Sequence, residues 1–421
     1  MPSVRIPLPR LNKYIMDLSK IEKIRREFPI FNNGSQESFI YFDSAATTQK
    51  PACVIDSISE AYRFCNANVH RGTYRMSREA TEHHENARQT IANWIGASPE
   101  EIIFTSGTTA SLNMVAYSFG DMLLKQGDSL VTTLMEHHSN FVPWQQLALR
   151  KNALLHVVSL TETGEIDRKA FTKALSDHPK IVAIAHVSNV LGTVNPVKEL
   201  VAEAHEAGAF VVVDGAQAIA HRAVNVKEID ADFYAFSGHK MYGPTGIGVL
   251  YGEKKLLEEM PPFFFGGEMI DKVTTERTTF APLPYKFEAG TPDFVSSVAL
   301  AKAVDFINRI GFDTISQHEQ LLLHKLTDGL ETIEGIRILG SAPCKEAVVT
   351  FVCDGVHPYD LGILLDELGF ALRSGHHCAE PLMNACSVTA TLRASMGIYN
   401  TEEEVDKLIH AVQRAVKILR R

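Results

Sequence analysis

Between about Tyr41 and Tyr251, short apolar runs alternate with longer amphipathic segments. The runs are Glu101–Thr105 (EIIFT), Ser129–Thr133 (SLVTT), Ile181–Val187 (IVAIAHV), Ala209–Val213 (AFVVV) and Phe233–Phe236 (FYAF). Several lack polar alternation, the pattern of strands covered on both faces of a parallel sheet. The segments between them, such as Thr109–Phe119 and Val197–Ala207, have helical length and period. This repetition predicts an open, doubly wound α/β sheet. After Tyr251 the texture changes. Pro261–Gly267 and Glu288–Pro292 read as loops, and helical patterns follow over Val295–Ile310 and Thr314–Ile333. Ala347–Val352 and Phe370–Arg373 read as strands, and Glu402–Leu419 as a closing amphipathic helix. The second half thus predicts a smaller α+β domain, joined by an N-terminal helix over Ile21–Glu27.

Composition narrows the class of protein without naming an activity. A chain of 421 residues with 45% apolar and 22% charged residues buries a sizeable core without metal or disulfide support. Its net charge of −9 lacks the basic footprint of a nucleic-acid or anionic-membrane binder. No apolar run reaches the roughly 18 residues that span a bilayer. The stretch before Phe28 has no continuous apolar segment of the kind a secretory signal carries. Six cysteines without a C-x-x-C pair read as reduced thiols. The expectation is a cytoplasmic protein.

In an open parallel sheet, ligands bind beyond the carboxyl ends of the strands. Five successive runs are followed there by polar groups: Ser106–Thr109, Glu136–His138, Ser188–Asn189, Asp214–Gln217 and Ser237–Lys240. Ser106–Thr109 opens a helix, where hydroxyls and backbone N–H groups suit a phosphate, although a simple N-cap explains it too. Asp214 follows three valines, and a carboxylate there needs a cationic or hydrogen-bonding partner to stay charged. Lys240 sits among apolar and glycine residues, which favours a desolvated amine suited to Schiff-base chemistry. His137 and Asn189 taken singly fit structural roles equally well. Together, a phosphate cup, a flat imidazole, an acid and a desolvated amine match what pyridoxal 5'-phosphate requires.

The chain resembles the fold-type I pyridoxal-phosphate enzymes, in particular the cysteine desulfurases of the SufS/CsdA type within the class V aminotransferase family. The resemblance runs from about Ile21 to the C-terminus. It rests on DSAATTQKP (43–51), VHRGTYRMS (69–77), SGTTASLN (106–113), MEHHSNFVPWQ (135–145), HVSNVLGTVNP (186–196), VDGAQA (213–218), FSGHKMYGPTGIG (236–248), FEAGTPD (287–293) and RSGHHCAEPLM (373–383). It implies a large pyridoxal-phosphate domain over 31–290, with a mostly parallel seven-stranded sheet sandwiched by helices. It also implies a small C-terminal domain over 291–421 carrying a catalytic cysteine loop, with residues 1–30 packing on that small domain.

By the same resemblance, Lys240 forms the Schiff base and shuttles the Cα proton, Asp214 pairs with the pyridinium nitrogen, Gln217 bonds the phenolic oxygen and His137 stacks on the ring. Thr108, Thr109, Ser237 and His239 hold the phosphate, and Thr291 reaches the phosphate of a neighbouring subunit, which implies a homodimer. Asn189 and Arg393 hold the substrate carboxylate, with His70 and Arg373 lining the pocket. Cys378, near the cationic Arg373 and after two histidines, is the nucleophile that takes sulfur from L-cysteine as a persulfide and leaves alanine. A SufE- or SufU-like acceptor protein then clears the sulfur for iron–sulfur cluster or other cofactor assembly. Two residues depart from the family pattern: Tyr74, and Glu380, whose like charge opposes a thiolate two residues away.

The same residues allow three other readings. Selenocysteine lysis, or another β- or γ-lyase reaction, uses the same pyridoxal-phosphate machinery. A metal module built on His376, His377 and Cys378, with His83–His84 or His137–His138, is disfavoured because adjacent side chains point apart. Nucleotide binding by SGTT or GPTGIG matches neither phosphate-loop pattern.

Overall fold

The computed structural model describes residues 18–32 and 39–420. The large sheet consists of β1 (Ile102–Thr105), β2 (Ser129–Thr133), β3 (Leu154–Val158), β4 (Ile181–Ala185), β5 (Phe210–Asp214), β6 (Phe233–Ser237) and β7 (Gly248–Gly252). Their order is β1-β7-β6-β5-β4-β2-β3. The run β6-β5-β4-β2-β3 is parallel, and β7 is antiparallel to both of its neighbours. Strands β2, β4, β6 and β7 are buried along their whole length, which is why the first three read as runs without polar alternation. The seven-stranded, mostly parallel sheet expected from the sequence is present.

Two strands escaped the periodicity. The edge strand β3 is largely exposed and mixes leucine with histidine (LLHVV). Strand β7 is bounded by glycines and is hidden behind the GPTGIG loop. That reversed strand brings Gly248 against the turn after β1, where a Cβ on Gly248 would lie 2.4 Å from the Cα of Gly107. The helix expected over Thr109–Phe119 runs from Thr108 to Met114 and continues as a π-helical turn over Val115–Gly120.

A second sheet of β8 (Ile336–Leu339), β9 (Val348–Cys353), β10 (Arg373–Gly375) and β11 (Thr391–Ser395) has the order β8-β9-β11-β10 and is antiparallel throughout. Helices Phe312–Glu331, Pro358–Glu367 and Glu402–Leu419 supply its apolar cover, with Leu322, Leu326, Leu365, Val405, Leu408 and Val412 in one core with Val349, Phe351 and Leu392. Of the expected strand over Phe370–Arg373, Phe370–Ala371 pairs instead with Ile40–Tyr41. A leucine then separates that pair from β10.

The expected division at residue 290 is displaced. Helix Phe294–Ile310 buries Leu300, Val304, Phe306 and Ile307 in the large-sheet core, and the change of core falls within the next helix, between Ile315 and Leu322. Residues 1–17 of the expected N-terminal segment lie outside the described residues. The helix that follows, Leu18–Arg26, puts Ile21 and Ile24 into the large-sheet core with Ile398 and Tyr399. Among the described residues it reaches the C-terminal part through polar contacts, Arg25 to Glu404 at 2.6 Å and Lys20 to the Thr314 hydroxyl at 3.1 Å. Its apolar face is thus spent mainly on the large domain.

Candidate functional site

The carboxyl ends of the parallel strands and the edge of the small sheet enclose a cavity of about 220 Å³. From the large domain it is lined by Thr108, Thr109, His137, Asn189, Asp214, Gln217, Ser237, His239 and Lys240. From the small domain come Arg373, Cys378 and Arg393. Twelve of the fourteen residues singled out in the sequence therefore meet in one place.

Each side chain is held by local structure. After β1, Gly107 adopts φ 146°, and the Thr108 N–H donates to Ser237 Oγ at 2.8 Å. The hydroxyls of Thr108 and Ser237 lie 2.7 Å apart. The turn after β6 carries His239 and Lys240, and it is gripped through the His239 carbonyl. That oxygen accepts from the Thr48 N–H (3.0 Å), the Thr47 and Thr48 hydroxyls (3.1 Å each) and Lys50 Nζ (3.0 Å).

The electrostatics follow from burial. Lys240 is pushed down to about 8 by desolvation, with Asp214 acting the other way. Asp214 is pushed up by burial, and the one hydrogen bond to its carboxylate among the described residues is from the Ala216 N–H at 2.9 Å. An acid in that state is suited to a protonated ring nitrogen. His137 Nδ1 accepts from the Ser139 N–H at 3.1 Å. Burial and then Lys240 hold His137 down to about 3, so the imidazole is a neutral, flat face. His239 is lowered to about 4, mainly by burial. Three buried polar atoms, Asn189 Oδ1, His377 Nδ1 and Arg393 Nε, have no partner among the described residues. The orphaned polar atoms, the hydroxyl cup and the desolvated amine fit pyridoxal phosphate: Thr108, Thr109, Ser237 and His239 would hold its phosphate, Asp214 its nitrogen and Lys240 its aldehyde carbon.

Cys378 sits on a tight loop in which both His377 (φ 52°) and Cys378 (φ 55°) are left-handed, a conformation costly for non-glycine residues. The loop is over-determined by its contacts. The Cys378 carbonyl accepts from the His138 N–H at 2.7 Å, the His377 carbonyl from Asn189 Nδ2 at 2.8 Å, and His377 Nε2 meets Thr391 Oγ1 at 2.8 Å. His138 Nε2 also accepts from the Glu380 N–H at 3.1 Å. Glu380 itself points outward, its side chain 64% exposed.

Two expected residues lie elsewhere. His70 is not part of the cavity of this chain; its Nε2 bonds Glu85 at 2.9 Å and its ring packs on Tyr285. The left-handed turn at His70 (φ 66°) directs it there. Thr291 is exposed, on the loop after Glu288, whose carboxylate is anchored by the buried Arg88 at 2.7 and 2.9 Å. Asn189 Nδ2 donates one N–H to the His377 carbonyl, and an amide nitrogen carries a second donor; Oδ1 has no partner among the described residues. Sequence reasoning gave no cofactor or substrate role to Asp43, His138, His377 or the fully buried Glu136, although all four lie inside quoted motifs. Glu136 accepts from the Thr133 hydroxyl and the Asn140 amide, both at 2.6 Å, and burial pushes it up to about 8.

The comparisons with known proteins agree with this geometry. The class-V aminotransferase family matches residues 40–408. A probable cysteine desulfurase of Vibrio cholerae is 47% identical over 403 residues, covering 95% of this chain and 99% of that protein. The apo structure of a cysteine desulfurase from Thermococcus onnurineus NA1 superposes with a TM-score of 0.90 at 39% identity, covering 99% of this chain and all of that one. The structure of the cysteine desulfurase CsdA from Escherichia coli gives 0.87 at 36%, covering 94% and 98%. This chain belongs to the class-V aminotransferase family of pyridoxal-phosphate enzymes.

Proposed function

We propose that the chain is a cysteine desulfurase, converting L-cysteine to L-alanine with transfer of sulfur to Cys378. The observation that carries this reading is the presence of Cys378 in the same cavity as Lys240, Asp214 and Arg393, where a transaminase has no use for a thiol. When bound, the cofactor supplies an electron sink for the substrate α-carbon. Arg393 and Arg373 draw in the substrate carboxylate. Lys240 Nζ, uncharged above about pH 8, takes the Cα proton. His137, kept neutral, covers the ring face. The Cys378 thiolate attacks the substrate sulfur, so that an S–S bond forms as the C–S bond breaks. The electron pair left on carbon is protonated, giving alanine and a Cys378 persulfide.

Because the persulfide forms on a loop near the surface, a separate acceptor protein of the SufE or SufU kind is the natural next carrier, toward iron–sulfur clusters or another sulfur cofactor. L-Selenocysteine fits the same groups, selenium being the better leaving atom. The exposed Thr291 accords with a role across a homodimer. Six unpaired cysteines accord with a reducing, cytoplasmic setting, and among the described residues no helix is long and apolar enough to cross a membrane.

The test is mass spectrometry after brief treatment with L-cysteine. A gain of about 32 Da on the peptide bearing Cys378 is expected. Alanine release without that gain, or the gain on another cysteine in Cys378→Ser, overturns the assignment.

A further inference from the structure

Glu136 is a fully buried carboxylate, one residue before the histidine that faces the cavity. Three donors from three segments hold it. Oε1 accepts from the Thr133 hydroxyl at the end of β2 (2.6 Å) and from the Ala185 N–H at the end of β4 (3.1 Å), and Oε2 accepts from the Asn140 amide (2.6 Å). Ala185 is paired in register with Asp214 on β5, so one of these bonds reaches the strand pair that carries the acid for the ring nitrogen. Asn140 is fully buried as well, and its side-chain oxygen accepts from the Trp144 indole at 3.0 Å. An amide whose oxygen is taken presents only N–H groups to Glu136. Acid and amide are therefore matched in one orientation. A carboxylate accepts with both oxygens, and more strongly than a neutral group, which is what a strap of three donors requires.

The turn under this strap, His137–Asn140, carries two groups that serve different parts of the site. His137 lines the cavity, its Nδ1 accepting from the Ser139 N–H. His138 gives its backbone N–H to the Cys378 carbonyl at 2.7 Å. The Asn140 N–H closes the turn on the His137 carbonyl at 2.8 Å. A shift of Asn140 thus moves the imidazole on one side and the anchor of the cysteine loop on the other.

We propose that Glu136 is a positioning residue for both sides of the sulfur transfer: through Asn140 it sets the turn that aims the His137 ring at the cofactor and ties the Cys378 loop to the large domain. The proposal rests on the reading of Cys378 as the sulfur acceptor, and it goes beyond that reading in naming the buried group that keeps nucleophile and ring face in step.

The test is Glu136→Gln in the holoenzyme. Glutamine keeps the size, but in either orientation its NH2 meets a donor that cannot turn into an acceptor, Asn140 Nδ2 or the Ala185 N–H. Two readouts are followed: the visible circular dichroism of the bound cofactor, and alkylation of Cys378 by iodoacetamide, read by peptide mass spectrometry. The buried Cys353 on β9 reports global opening in the same samples. Cys378 alkylation is expected to quicken roughly fivefold, the factor for one lost hydrogen bond, and the dichroism to weaken, with Cys353 unmoved. Glu136→Gln combined with Asn140→Asp reverses the direction of the broken bond, keeps the total charge and leaves an oxygen for the Trp144 indole. Both readouts must then return toward those of the unaltered protein. An unmoved Cys378 rate, an unmoved dichroism, a rise shared by Cys353, or a double variant no better than the single one overturns the proposal. Should Glu136→Gln fail to fold, Asn140→Ala cuts the same link from the side of the turn, and its Cys378 rate, dichroism and Cys353 rate decide in the same way. Persulfide formation on Cys378 in the unaltered protein is measured alongside. Its absence would sink the desulfurase reading while leaving the alkylation rates and the dichroism to decide the role of Glu136.

Discussion

The two ends of the cavity are built on opposite plans. The large-domain end places Asp214 and Ser237 at the ends of adjoining paired strands and Lys240 on the turn just beyond β6. Even the turn that carries Lys240 is fastened by several donors on one carbonyl. The small-domain end presents Cys378 on a loop with two successive left-handed residues, held by a few hydrogen bonds to His138, Asn189 and Thr391. A group that must stay in register with a fixed ring is set on rigid strands. A group that must meet substrate sulfur and then hand it on is set where a few contacts can open.

The comparison is broken most severely at the rigid end. Lys240→Ala is expected to remove the covalent cofactor absorbance and to lower turnover by roughly 10²–10⁴-fold or more, as loss of a positioned acid–base group does. Retention of the band in the visible spectrum would show that another amine serves. At the small-domain end, Cys378→Ser should leave that band in place and still abolish persulfide in the mass spectrum, separating the two ends cleanly. A pH experiment sharpens the contrast further. Burial lowers the free Lys240 amine to about 8, so it is charged and unreactive below that pH and neutral above it. Loading of the apoenzyme with cofactor, followed by absorbance, should therefore quicken as pH rises toward about 8 and level off beyond. A rate flat between pH 6 and 8 contradicts a desolvated, titrating lysine. The smallest effect belongs to His138→Ala, which removes the acceptor for the Glu380 N–H. Loss of one hydrogen bond is worth about 1 kcal/mol, roughly fivefold in loop opening. Alkylation of Cys378 by iodoacetamide should quicken by that factor, and an unchanged rate would mean that His138 does not restrain the loop.

The same division explains what was legible in the chain. Strands such as AFVVV and FYAF announce themselves because burial on both faces strips them of polar alternation, and the residue after each run marks the rim. Asp214, His239 and Lys240 were found in that way. β3 was missed because an edge strand keeps polar residues, and β7 because its glycines resemble a turn. Nothing in local pattern reveals that Asp43 lies against Arg373 and Arg393, some 330 and 350 positions away in the chain. That contact is made by tertiary packing alone. Nor does spacing show that Asn189 turns its amide nitrogen toward the His377 carbonyl. The cysteine became conspicuous through its family motif, since an isolated thiol carries no periodic signal. The domain boundary shifted for a related reason: helix Phe294–Ile310 follows the loop after Glu288, yet its apolar face matches the large-sheet core.

The reversed strand β7 has a practical consequence for anyone remodelling this enzyme. Its Gly248 presses against Gly107 from below the hydroxyl cup, so mutational libraries that vary residue 248 would disturb anion capture several residues away without touching any group that contacts a ligand. Such variants would be scored as cofactor-affinity defects, and their cause would be sought on the wrong face of the sheet.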